Sequence, residues 1–168
     1  MDLLVIRHAI AMERDDYSAL SDDDDTRPLT EVGAKKMRRV AQGLRQVVGH
    51  IDLLASSPLT RAVETAHIVA DAYSMPVGRI VDALRPENSS ERVLEWTHEE
   101  AHGSVCALVG HEPNLGQLVT WLMTGLDAPR VTLKKGGACL LGFDGRIEAG
   151  AGTLRWLMTP SQLISSDR

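Results

Sequence analysis

Asp2-Leu3-Leu4-Val5-Ile6-Arg7-His8 is an apolar run of strand length, dense in branched side chains, that ends on two polar groups. It lacks the in-out alternation of a half-exposed strand, as expected when both faces of a sheet are covered. Covered faces require helices above and below, and the chain supplies them. Thr30 stands as an N-cap before Val32, Met37, Val40, Ala41, Leu44 and Val48, which recur at helical spacing until Gly49. Residues 52–56 read as a second strand. A helix capped by Ser57, with Pro58 in its first turn, then carries Ala62, Thr65, Ala66, Val69, Ala70 and Tyr73 toward Met75-Pro76. Further on, strand patterns fall at 79–81 and 105–109, and helical patterns at 91–102 and 114–126. A closing strand pair, 138–143 and 153–158, flanks Asp144-Gly145. This order predicts one α/β domain over 1–168: a three-layer α/β/α sandwich on a mostly parallel sheet, with antiparallel pairing near the end.

The chain's 168 residues, 43% hydrophobic and 24% charged, match ordinary globular usage. That length buries roughly 70% of the unfolded surface, so no metal or disulfide staple is needed. The N-terminal run is too short for a secretory core or a membrane span, and no basic segment precedes it, so a cytoplasmic location and no membrane partner are expected. Cys106 and Cys139 form no Cys-x-x-Cys pair and read as buried thiols. The net charge of −5 is uneven. Residues 13–25 set Glu13, Asp15, Asp16, Asp22, Asp23, Asp24 and Asp25 against Arg14 alone, a balance of −6, which leaves +1 for the rest. A basic stripe suited to nucleic acid is absent, so no nucleic-acid partner is expected. With Ser18, Ser21 and few large apolar groups, residues 13–26 read as a solvated, mobile acidic loop.

Ligands of open α/β sheets bind outside the carboxyl ends of the strands. His8 follows the first strand there, with Arg7 beside it, and His111 follows the 105–109 strand in Gly110-His111-Glu112-Pro113-Asn114. Arg61 falls in the first turn of a helix, near the positive end of its dipole. Two imidazoles, two guanidiniums and helix N-termini at one edge make a pocket for a phosphoryl group. Arginine offers a planar fork matched to phosphate oxygens, and phosphoryl transfer needs mainly positioning and charge neutralisation. A neutral imidazole is a competent nucleophile toward phosphorus, and nearby guanidiniums disfavour its protonation.

These residues resemble the histidine phosphatase superfamily, and within it the small SixA-type phosphohistidine phosphatases of phosphoglycerate mutase-like fold. The likeness runs through Leu4-Val5-Ile6-Arg7-His8-Ala9, Arg27-Pro28-Leu29-Thr30-Glu31-Val32-Gly33 and Ser56-Ser57-Pro58-Leu59-Thr60-Arg61-Ala62-Val63-Glu64-Thr65-Ala66. It continues in Val109-Gly110-His111-Glu112-Pro113-Asn114-Leu115-Gly116, Leu133-Lys134-Lys135-Gly136-Gly137-Ala138 and Leu154-Arg155-Trp156-Leu157-Met158-Thr159-Pro160. The resemblance implies that His8 becomes phosphorylated, that Arg7 and Arg61 clamp the phosphoryl oxygens, and that His111 completes the pocket. Arg27 resembles a further basic residue of SixA-type sites, although it could equally pin the acidic loop. Ala9 replaces the superfamily's usual glycine, which alanine can do if φ stays negative. The resemblance also implies metal-free removal of a phosphoryl group from phosphohistidine on a signalling or phosphorelay protein, without a cofactor. Phosphate, sulfate and similar oxyanions should bind. The alternatives are a small-molecule phosphomonoesterase and a non-catalytic phosphate-binding module.

Glu87 and Glu112 are the candidates for a general acid, each also readable as a carboxylate favoured at a helix start. A phosphohistidine substrate eases the need for one, because its leaving imidazole has a pKa near ~6.5. His98-Glu99-Glu100-Ala101-His102 fits the H-E-x-x-H zinc pattern. It sits at a helix tail without a free third ligand, so it reads as an exposed helix end and no metal site is expected.

Overall fold

In the computed structural model, which describes residues 1–76 and 78–166, β1 (Asp2–Arg7) sends Leu4 and Ile6 into one apolar layer and Leu3 and Val5 into another. Val77, Asp167 and Arg168, part of the expected 1–168 span, lie outside the described residues. The elements that follow are α1 (Arg14–Ser18), α2 (Glu31–Val47), β2 (Leu53–Ser56), α3 (Thr60–Tyr73), β3 (Arg79–Ile80) and α4 (Ser90–Glu100). Then come β4 (Val105–Gly110), α5 (Asn114–Thr124), β5 (Ala138–Gly142), β6 (Thr153–Met158) and α6 (Pro160–Ser165). The strands form one six-stranded sheet in the order β3-β2-β4-β1-β5-β6. β1, β2, β3 and β4 are mutually parallel, while β5 runs antiparallel to both β1 and β6.

The two layers follow strand parity. Leu4, Ile6, Leu54, Ala107 and Val109 pack with Met37 of α2, Ala62 of α3 and Leu163 of α6. Leu3, Val5, Leu53 and Leu108 pack on the other face with Val93 of α4 and Leu115, Leu118 and Leu122 of α5. Each such leucine removed from water contributes about 1.5–3 kcal/mol. Cys106 and Cys139 are buried free thiols within the second layer, and burial pushes both up to about 12.

The chain leaving β1 turns toward the α2–α3 layer, whereas the chain leaving β4 turns into α5 on the opposite face. β1 and β4 are neighbours, paired from Asp2↔Val105 to Arg7↔Gly110, so their carboxyl ends open a crevice between the two layers. Gly33 brings α2 against the segment that follows β1. A Cβ there would stand 2.0 Å from the Ile10 carbonyl oxygen.

Three local expectations change. α3 begins at Thr60, with Leu59 in the N-cap position, rather than directly after Ser57. Ser57 N–H donates to Val109 O at 3.0 Å, which keeps the chain extended past the strand end and leaves Pro58 ahead of the helix. α4 stops at Glu100, so His102 lies beyond it. The acidic stretch, read as a loop, holds α1 and a 3-10 turn at Asp24–Thr26. Asp23 starts that turn by accepting from Asp25 N–H at 3.0 Å.

Candidate active site

Backbone bonds on both sides of β1 fix His8. Its N–H donates to Gly110 O and its carbonyl accepts from Gly136 N–H, each at 3.0 Å. Gly136 takes φ +76°, a left-handed conformation that glycine adopts without strain. Ala9 N–H donates to Thr65 Oγ1 at 3.0 Å, and Thr65 Oγ1 donates to Arg61 O at 2.7 Å, so one hydroxyl couples the post-β1 turn to α3. Ala9 keeps a negative φ, as alanine requires at this position. The His8 ring donates from Nδ1 to the Ala9 carbonyl at 2.7 Å. A carbonyl only accepts, so the proton resides on Nδ1 and Nε2 keeps its lone pair.

The His111 ring lies across the crevice, its centroid 5.1 Å from that of His8 and its plane inclined by 52°. Its Nε2 is 2.8 Å from Ser57 Oγ. Burial pushes His8 down to about 4, with the charges of Arg61, Arg7 and Arg27 adding to it against the Ala9 hydrogen bond. His111 falls to about 3, again chiefly through burial, with His8, Arg61 and Arg27 contributing. Both rings are therefore neutral across the physiological range.

Arg7 follows the parity of Leu3 and Val5 and reaches the α5 side, where Nη1 donates to Leu133 O at 2.7 Å. Leu133 N–H in turn donates to Glu112 Oε1 at 2.7 Å. Arg61, only 4% exposed, donates from Nη1 to Asp24 O at 2.9 Å. Arg27, also buried, donates from Nε to Asp24 Oδ1 and from Nη1 to Met12 O, both at 2.7 Å. Among the described residues, the buried side-chain polar atoms without a partner are Arg7 Nε, Arg61 Nε and His111 Nδ1. A buried polar group left unsatisfied costs about 1–3 kcal/mol. All three belong to residues of this crevice, which suits it to an oxyanion.

The structure thus brings Arg7, His8, Arg27, Arg61 and His111 to one crevice. It commits Glu112 to the Leu133 amide and leaves Glu87 mostly exposed, 3.7 Å from Arg85. The H-E-x-x-H pattern separates: His98 Nε2 donates to Ile147 O, and His102 lies past the helix end, donating from Nδ1 to Glu100 O. No group of three or more potential metal ligands occurs among the described residues. Three partners carried no reading in the sequence: Ser57 for His111, Thr65 as the link between Ala9 and α3, and Asp24 for Arg61. A serine directly after a strand that ends at the crevice was the available signal for Ser57. The other two depend on contacts across 56 and 37 positions.

An α/β/α sandwich that gathers two neutral imidazoles and three guanidiniums in a crevice between adjacent strand ends defines a protein built to handle phosphoryl groups. Residues 3–86 match the histidine phosphatase superfamily (branch 1), and the chain belongs to that superfamily and is a phosphatase of it. It is similar to an uncharacterized protein of Picosynechococcus sp., 37% identical over 139 residues that cover 82% of each chain. It is also similar to a phosphohistidine phosphatase SixA homolog of Haemophilus influenzae, 27% identical over 133 residues, 73% of this chain and 77% of the other. Among solved structures, the protein histidine phosphatase SixA complexed with tungstate superposes with a TM-score of 0.77 at 26% identity, over 97% of this chain and 99% of that one. The fold is phosphoglycerate mutase-like.

Proposed function

We propose that this phosphatase removes the phosphoryl group from phosphohistidine on a signalling or phosphorelay protein, without a metal ion, through a covalent intermediate on His8. The observation that carries this reading is the pair of His8 nitrogens: Nδ1 is committed to the Ala9 carbonyl, and Nε2 is unprotonated beside three guanidiniums. In the first step the Nε2 lone pair forms a bond to phosphorus as the substrate's P–N bond breaks, and the substrate ring, already protonated on its other nitrogen, departs as neutral imidazole. In the second, water attacks phosphorus, the bond to His8 breaks, and phosphate leaves. Arg7, Arg61 and Arg27 neutralise charge on the equatorial oxygens throughout. With the Ser57 hydroxyl donating to His111 Nε2, His111 would carry its proton on Nδ1, the ring nitrogen without a partner, and offer it to a phosphoryl oxygen.

The nature of the leaving group supports phosphohistidine over an ester. Alkoxides leave with help from an acid, and neither carboxylate candidate is free beside the rings: Glu112 holds the Leu133 amide, and Glu87 stands exposed near Arg85. A missing general acid costs about 10²–10⁴-fold, whereas imidazole leaves without one. The protein should therefore be assayed in EDTA on a phosphohistidine-bearing protein, phosphoramidate, a sugar phosphate and a nucleoside monophosphate. The P–N substrates should exceed the esters in kcat/KM by about 10²-fold or more. Preference for an ester, or activity lost in EDTA and restored by zinc, would contradict the reading.

A further inference from the structure

Asp24 lies within the acidic stretch, but its contacts point inward. Its Oδ1 accepts from Arg27 Nε at 2.7 Å, and its Oδ2 is 3.3 Å from Arg61 Nη2. Its main-chain carbonyl also accepts from Arg61 Nη1 at 2.9 Å. One residue thus grips the terminal edge of the Arg61 guanidinium with both side chain and backbone, while Arg61 Nε stays buried and unpartnered. Partial burial would raise the Asp24 carboxyl, but the Arg27 hydrogen bond and the charges of Arg61, Arg27 and Arg14 hold it below the ordinary carboxylate range.

Two guanidiniums at one site repel each other, and after burial the Arg27 charge is the main influence that disfavours protonated Arg61. A carboxylate shared between them offsets that repulsion and fixes their spacing. The turn that carries it is anchored on the far side of the crevice as well, because Asp25 Oδ2 accepts from Arg85 Nη1 at 2.7 Å.

We propose that Asp24 is a positioning residue of the phosphate site: it ties Arg27 to Arg61 and holds the Arg61 guanidinium with Nε turned to the phosphoryl group. This rests on the reading above, in which Arg61 binds that group. The opposite role, a carboxylate that occupies the site of the substrate anion and must be displaced, fits less well. Asp24 takes the terminal edge of Arg61 and leaves Nε free, and half of its grip is a backbone carbonyl.

The test compares Asp24→Asn, Arg61→Ala, the double variant and Asp22→Asn, an exposed control, for inhibition by orthovanadate and for kcat/KM on phosphoramidate. Asp24→Asn keeps the shape and removes the charge. It should weaken vanadate inhibition and lower kcat/KM by about 10²-fold, the scale at which misplaced binding groups act. In the Arg61→Ala background the same change should cost little, since groups that act as a unit are not additive. Asp22→Asn should match the wild type. Tighter vanadate inhibition in Asp24→Asn would overturn the proposal in favour of a displaced carboxylate, and losses that multiply in the double variant would reduce Asp24 to a general structural role. If Arg61→Ala weakens vanadate and Asp24→Asn does not, only this inference fails. If Arg61→Ala leaves vanadate inhibition unchanged, the phosphate site itself is misassigned.

Discussion

The Ala9 carbonyl at 2.7 Å from His8 Nδ1 holds the ring in the tautomer that the proposed attack through Nε2 requires, and burial with three nearby guanidiniums disfavours protonation of that nitrogen. The consequence appears in the pH profile. With His8 at about 4, lowering the pH through the ordinary histidine range near ~6.5 should leave kcat/KM level once the substrate's own ionisation is removed. The acid limb should begin below about pH 5. Because the Arg61 charge helps depress His8, Arg61→Ala should move that limb upward. A wild-type limb centred near ~6.5 would contradict the assignment. Four of the five crevice side chains were legible in the sequence because each follows a recognisable strand end or opens a helix: Arg7 and His8, His111, and Arg61. Arg27 carried two readings, and the structure joins them. It is buried at the crevice, and it also binds Asp24 of the acidic stretch.

Element placement follows from how tightly the α2–α3 layer packs around the turn after β1. Glu64 Oε2 accepts from Leu29 N–H at 2.7 Å, and Thr65 accepts from Ala9 N–H, so consecutive residues of α3 hold the two segments that bring Arg27 and His8 to the site. Gly33 allows α2 to complete that contact. Gly33→Ala would drive a Cβ to 2.0 Å from Ile10 O, a clash against backbone rather than a flexible side chain. Overpacking of this kind costs about 1–3 kcal/mol, readable as a lower urea midpoint, and the displaced turn should lower kcat/KM as well. Unchanged stability together with unchanged activity would show that the turn does not depend on this contact. Bounds for β1 and β6 were readable from local pattern alone, because apolar runs and turn residues delimit them. The start of α3 was not, because Ser57 pairs with Val109 of β4, a partner 52 positions away. The acidic stretch misled for a similar reason: its charge density suggests solvation, while Asp24 and Asp25 find arginines at positions 61 and 85.

Across the molecule, sheet order rather than any single element creates the site. Placing β4 between β2 and β1 sends the chains that leave β1 and β4 to opposite faces, and the gap between them receives His8 and His111 from strands adjacent in space but about a hundred positions apart in sequence. The alternation of strands and helices made a covered parallel sheet legible in advance. The strand order became visible only with the pairing of Leu3 with Cys106 and of Leu53 with the same residue on its other side. The proposed reaction requires this arrangement to place one imidazole in line with phosphorus. Rapid acid-free quenching of wild-type protein turning over radiolabelled phosphoramidate tests it most directly. An acid-labile, base-stable label should map to His8, with no label and no turnover in His8→Ala, which should still bind orthovanadate through its arginines. A label mapped to a serine or a carboxylate, or near-wild-type turnover in His8→Ala, would contradict it.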